Sequence, residues 1–165
     1  LHSTSRRQRQ MCIRDRILPL LFLTGCSKTV ETVCTIPEEN SSGLTSTLKM
    51  TFVSKDGYVK EVEQKETTKL EGLDISNEEF KNASKELKKS YEKYKGLKYN
   101  YTYNKKNSEV VETLEIDCSK ADSDTLTLIG LSISDKDLKD NDTIKISLKD
   151  SIKNMKSYGL ECKEK

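Results

Sequence analysis

The stretch ISNEEFKNASKELKKSYEKYKGLKYNYTY, residues 75–103, changes its apolar period in the middle, and that change decides the fold. Phe80, Ala83, Leu87, Tyr91 and Tyr94 recur at three- and four-residue steps, which predicts a helix with one apolar face over about Asn77 to Lys95. Ser76 and Glu79 form a capping box at its start, with Ile75 placed to staple onto Phe80. Gly96 supplies the stop. Past Gly96 the period drops to two: Leu97, Tyr99, Tyr101 and Tyr103 alternate with polar residues, as in a half-buried strand.

Outward from this point the pattern is mostly that of strands. A loop around Asn104 to Asn107 leads to a partner strand with Val110, Leu114 and Ile116 on one face. Upstream, Leu48, Met50 and Phe52 alternate with polar residues, and Asp56-Gly57 is a two-residue pair suited to positive φ and hence to a hairpin. The return strand runs from Tyr58 to about Leu70. Its Val59 and Val62 are out of phase, which predicts a bulge between them. The alternating Lys and Glu along Glu61 to Lys69 read as a solvated strand. In residues 119–142, Leu126, Leu128, Ile129 and Leu131 are expected in the core, while Gly130 breaks the run. A last helix begins near Ser147, with Asp150 completing a box-like start, and carries Leu148, Ile152 and Met155. Gly159 ends it, and Leu160 to Lys163 form a closing strand. The expected fold is α+β: a largely antiparallel β-sheet of two hairpins plus terminal strands, packed with two helices, in a single domain over residues 32–165.

The one strongly apolar run, Ile17 to Leu23, is closed by Leu23-Thr24-Gly25-Cys26. It is too short to span a bilayer, which needs about 20 residues, and Pro19 interrupts any helix there. A short apolar segment ending in small residues and a cysteine has the form of a bacterial lipobox. On that reading residues 17–25 are a truncated lipoprotein signal peptide, Cys26 takes a diacylglycerol and becomes the mature N-terminus, and residues 26–31 are a tether. The lipid would hold the domain outside the cytoplasm on the bacterial cell membrane, or on the outer membrane of a two-membrane cell. Ser27 gives no reason for inner-membrane retention.

Residues 1–16 have a different character. All five arginines and the single histidine, His2, lie there, whereas the chain from residue 17 carries 24 lysines and no arginine. Arg6 to Asp15 can be spelled CGT-CGG-CAG-CGT-CAG-ATG-TGT-ATA-AGA-GAC, which resembles a transposase adapter of DNA sequencing libraries. The segment is therefore expected to be translated adapter joined to a truncated reading frame, and it is set aside from fold reasoning. The net charge of +2 then becomes −2, from 24 Lys against 26 Asp and Glu. Lysines and acids interleave without a basic stripe, which argues against nucleic acid as a partner.

Past residue 16 the cysteines are Cys26, Cys34, Cys118 and Cys162. With Cys26 lipidated, three remain in an exported chain, where oxidised pairs persist. Cys34 falls in the first strand and Cys162 in the last, so that pair would clip the chain ends together and leave Cys118 as a buried thiol. Pairings with Cys118 stay open, because connectivity is not deducible from sequence. No paired-cysteine spacing marks a zinc site.

Candidate chemistry is sparse. From residue 17 there is no histidine, arginine or tryptophan, which removes histidine triads, histidine metal sites and arginine anion clamps. No nucleophile elbow or glycine-rich phosphate loop is present. Asp135, Asp137, Asp140 and Asp142 offer hard oxygen ligands, but the glycine and glutamate of a calcium loop are missing and Lys136 and Lys139 dilute the charge; the cluster reads as a solvated loop, with no metal expected. Tyr99, Tyr101 and Tyr103 form an aromatic stripe. It is either a platform for a sugar or a partner's ring, or a strand face packed under the helix that carries Tyr91 and Tyr94.

The order of lipobox, Asp-Gly hairpin, capped helix ending Tyr91-Glu92-Lys93-Tyr94-Lys95-Gly96, tyrosine-rich strand, Leu114-Glu115-Ile116-Asp117 and terminal Tyr158-Gly159-Leu160-Glu161-Cys162 resembles the YehR-like lipoprotein family over roughly residues 46–163. The resemblance implies an α+β fold, a lipid-anchored location in the envelope, and no catalytic residues or cofactors to carry over. Gram-positive versions look similar in having cysteines near both ends, which favours Cys34 with Cys162; Cys118 stands where an apolar residue is expected. The functional expectation is a non-catalytic envelope lipoprotein that binds an envelope partner or a small ligand. Its rival is a structural or accessory subunit of an envelope complex, and a hydrolase using carboxylates or lysine is the remaining class. Ligand binding predicts a pocket, and an accessory role predicts an exposed apolar patch.

Overall fold

The computed structural model describes residues 28–41, 44–70, 76–131 and 144–165. Six strands and three helices follow in the order β1 (Thr29–Ser41), β2 (Leu44–Lys55), β3 (Tyr58–Leu70), α1 (Asn77–Tyr91), β4 (Leu97–Asn104), β5 (Glu109–Asp117), α2 (Ser123–Leu128), α3 (Leu148–Ser157) and β6 (Glu161–Glu164). The strands form one antiparallel sheet of order β4-β5-β3-β2-β1-β6. The fold is α+β, as the alternating periods predict. Cys26, Ile75 and the aspartates 135, 137, 140 and 142 lie outside the described residues.

Hydrogen-bonded partners line up in rows across the sheet, and each row sends its side chains to one face. One such row is Tyr99–Leu114–Gln64–Met50–Cys34–Cys162, and the next is Leu97–Ile116–Val62–Phe52–Thr32–Glu164. Phe52 is wholly buried at the middle of the sheet. Leu126, Ile129 and Leu131 from the α2 region, with Ile146, Met155 and Leu160 around α3, close over the same face. The opposite face is polar: Lys98, Glu115, Glu63 and Thr51 form one of its rows.

Local signals place the connections. Asp56 and Gly57 both have positive φ (55° and 82°), the two-residue hairpin geometry whose twist matches the flanking strands. The predicted bulge is present: Val53 pairs with Glu61 and Ser54 with Val59, so Lys60 is the extra residue. Its freed carbonyl accepts from the Cys118 N–H at 2.9 Å. The bulge thereby turns both Val59 and Val62 into the core. The start of β3, beyond the reach of β5, bonds instead to the segment before α3, with Val59 N–H donating to Ile146 and Leu148 N–H to Gly57.

Five expectations need correction. The described residues hold three helices rather than two: Asp122 caps α2 by accepting from Thr125 N–H, and six residues are too few to register as a periodic face. Leu128 is exposed on that helix, because Leu126 and Ile129 occupy its inner side. α1 ends at Tyr91 rather than Lys95, with Glu92 as its C-cap; Tyr94 N–H bonds back to Tyr91 in a tighter turn that brings the chain onto β4. Ala83 is exposed, so the apolar face of α1 is narrower than its sequence stripe. Finally, β1 starts at Thr29, inside the stretch read as a tether, because Thr29 to Ile36 pair residue for residue with β2.

Cys34 and Cys162 form a disulfide between directly paired strands, with a Cα–Cα distance of 4.0 Å and 128 residues of separation. Cys118 is a buried free thiol, and burial pushes its pKa up to about 12. Reduction, or the pair Cys34→Ser with Cys162→Ser, is expected to cost about 4–5 kcal/mol in the chain-entropy account. Urea titration of oxidised and reduced protein measures it. Gly96 generates a second expectation. It sits at φ +73°, and a Cβ there would meet the backbone of Asp117 and Ala121 at 2.7 and 2.8 Å. Gly96→Ala is expected to lower stability by about 2 kcal/mol or more, read from the same titration.

Candidate functional site

Two features of the surface bring functional groups together. The first is the tyrosine stripe on β4. Strand alternation puts Leu97, Tyr99, Tyr101 and Tyr103 on the helix-bearing face, each half-buried. The capping box holds the start of α1: Ser76 Oγ accepts from Glu79 N–H, and the Glu79 carboxylate accepts from Ser76 N–H. The helix then lies along β4. Phe80 stacks on Tyr101 with ring centroids 4.8 Å apart and tilts against Tyr103 at 5.3 Å, and Tyr91 stacks on Tyr99 at 4.5 Å. Tyr94 meets the ring of Tyr91 at 6.2 Å rather than the stripe itself, with the Lys93 ammonium 5.0 Å from its own ring centroid. Ring pairs of this kind add about 0.5–1.5 kcal/mol each beyond the area they bury. The stripe is thus a packed strand face, with α1 occupying the place a stacked ligand would take.

Next to these rings stands a carboxylate. Tyr101, Glu112 and Glu66 are successive partners across β4, β5 and β3. Burial, and then the like charge of Glu66, raises the Glu112 pKa above the ordinary 4.5. Burial followed by Glu112 also raises the pKa of Tyr99 and Tyr101. The Tyr99 hydroxyl is buried and has no hydrogen-bond partner among the described residues. Raised phenol and thiol pKa values keep these groups protonated at neutral pH. None is prepared to act as a nucleophile.

The second feature is a groove of about 640 Å³ on the polar face, near the end of the sheet where β1 begins. Strand register brings Glu31, Lys49, Glu63, Lys98, Glu115 and Asp117 to its walls. Asp117 is the most strongly held of them. The Lys120 ammonium donates to its carboxylate at 2.6 Å, and the Ser119 hydroxyl and N–H also donate, which holds its pKa down at about 2. Mixed charge on a concave wall suits a polar or zwitterionic ligand better than an apolar one. Among the described residues no three His, Cys, Asp or Glu side chains are close enough to share a metal ion, and no helix is long and apolar enough to cross a membrane. Strand alternation in the sequence identified the stripe. The groove depends on which strands are neighbours, a relation that no local pattern signals.

The raised Glu112 pKa fixes a sign. The folded state holds this proton more tightly than the unfolded chain, so the associated stability is present below pH 4.5 and is lost as pH rises through the folded value. Asp117 has the opposite sign, its contribution being lost as pH falls toward 2. Glu112→Gln is expected to raise the melting temperature at pH 7 and to remove the decline above pH 4.5 while leaving the acid limb unchanged. Thermal melts of both proteins from pH 3 to 8 measure it.

The NMR structure of a protein from Streptococcus pneumoniae TIGR4 is similar at a TM-score of 0.46 and 15% identity, covering 97% of this chain and 100% of that one. No curated protein matches the chain. A family model, described as a protein of unknown function (DUF1307), matches residues 38–161, from the middle of β1 to the start of β6. The match takes in most of the sheet and all three helices, so the chain belongs to the DUF1307 family of proteins of unknown function.

Proposed function

We propose that this chain is a non-catalytic bacterial envelope lipoprotein, anchored by a diacylglycerol on Cys26 and of the YehR-like kind. The observation that carries the reading is the Leu23-Thr24-Gly25-Cys26 lipobox placed directly ahead of the first strand. The Cys34–Cys162 disulfide supports it, since such bonds persist in exported proteins and are rare in the cytosol. One acyl chain binds a membrane marginally and two hold stably, so a diacylglycerol is a sufficient anchor.

Binding of a small polar ligand or an envelope partner fits the polar-face groove. The large exposed apolar side chains, Leu44, Tyr58, Leu128 and Tyr158, come from separate elements and favour binding over the broad apolar patch of an accessory subunit. Native mass spectrometry of protein extracted gently from its own membranes tests the reading. A mass that begins at Cys26 and carries diacylglycerol is expected, and Cys26→Ser is expected to move the protein from the membrane fraction to the soluble fraction. An unlipidated wild-type chain that retains residues 17–25 would overturn it.

A further inference from the structure

Cys26 precedes the first residue of β1, Thr29, by three positions. A chain extends at most ~3.6 Å per residue, so the Cys26 Cα is held within about 11 Å of the sheet. Lys28 is fixed already: its carbonyl accepts from the Asp56 N–H at 3.3 Å, which ties it to the β2–β3 turn. Strand register then defines which part of the domain lies beside the anchor. Lys55 and Tyr58 flank that turn, Ile146 and Leu148 bond to it, and Lys165 N–H donates to Glu31. Leu44 and Leu70 pair at the opposite end.

The exposed chemistry of the near end matches a lipid surface. Tyr58 is 41% exposed, with the Lys145 ammonium 5.5 Å from its ring centroid. Lys28, Lys165 and Lys120 are paired with Glu164, Glu31 and Asp117. That leaves Lys55, Lys60, Lys145 and Lys149 against Asp56, Glu61 and Asp150, with no carboxylate within ion-pair distance of Lys55 or Lys60 among the described residues. Tyrosine rings favour the headgroup level, where one edge is wet and the other apolar. Lysines are drawn to anionic headgroups within a Debye length of about 8–10 Å, a distance the tether does not exceed by much. The tether does most of the work, and the surplus lysines select the surface it meets.

We infer that, with Cys26 lipidated, the rim formed by Lys55, Tyr58, Lys60 and Lys145 is seated on the anionic headgroups of the leaflet that holds the anchor. The strands then lead away from the membrane and the Leu44–Leu70 end faces outward. This orientation rests on the lipidation proposed above, and the test separates the two.

The chain has no tryptophan, so Tyr58→Trp and Leu44→Trp each make a single reporter, and Lys55→Trp gives a second reporter near the turn. Each full-length lipidated protein is placed in phosphatidylcholine–phosphatidylglycerol vesicles in which a fraction of headgroups carries a nitroxide. Flotation reads the anchor and quenching reads the orientation. All three are expected to float. Tyr58→Trp and Lys55→Trp are expected to lose most of their emission, and Leu44→Trp to keep its own. Adding Lys60→Glu and Lys145→Glu to the Tyr58→Trp protein is expected to restore much of that emission without changing flotation. Floating protein quenched equally at both ends, or more at Leu44→Trp, overturns the orientation and leaves the lipid anchor standing. Protein that stays at the bottom of the gradient overturns the anchor and the orientation with it.

Discussion

The fully buried apolar side chains of the long strands lie on one face of this sheet, and that one-sidedness places the helices. Phe52, Val62, Met50, Leu114 and Ile116 come from three neighbouring strands yet form one buried surface. A sheet that is apolar on one side must cover that side and can leave the other wet. The helices therefore have no choice of face, only of position along it. α1 takes the β4 edge through its stacked rings, and α2 and α3 supply the residues that cover the centre. With charged residues making up 34% of the chain, the apolar material suffices for one layer of core.

A core this thin depends on its seams. β6 has four residues and pairs only with β1, so its backbone bonds alone would hold it weakly. The disulfide joins it to β1 at the one row where both cysteines are direct partners, and Leu160 just before it packs into the core. Buried polar groups are similarly matched. Thr125 donates to the Lys95 carbonyl at 3.0 Å, and Asn154 donates to the carbonyl of Gly130. These bonds cross between elements distant in sequence, tying α2 to the turn after α1, and α3 to the end of α2. Among the described residues the Tyr99 hydroxyl is the exception, and beside it lie Glu112 and Glu66. They stand as paired like charges on the helix-bearing face beside Tyr101, where the apolar cover from α2 and α3 gives way to the rings of α1.

The same architecture sets the titration of a few groups: Asp117 is lowered by Lys120 and Ser119, Cys118 is raised by burial, and Tyr99 is raised by burial and by Glu112. Among the described residues the fold offers a polar groove near the end of the sheet where β1 begins, on the face that the helices leave uncovered.

Much of this was legible in the sequence. The capping box at Ser76, the Asp56-Gly57 hairpin, the bulge between Val59 and Val62, and the switch from helix to strand at Gly96 are interactions among residues a few positions apart, so sequence alone determined them. α2 escaped notice because one capped turn of helix leaves no period to read, and the end of α1 because tertiary stacking of Tyr91 on Tyr99 overrode helical propensity. Only the tertiary structure decided the order β4-β5-β3-β2-β1-β6, the choice of Cys34 with Cys162 over pairings with Cys118, and the groove between non-sequential strands. Those outcomes depend on contacts between segments far apart in the chain, 128 residues in the case of the disulfide, selected by which faces must be buried together. A chain's local periods state what each segment must bury, and only the packed whole settles against what.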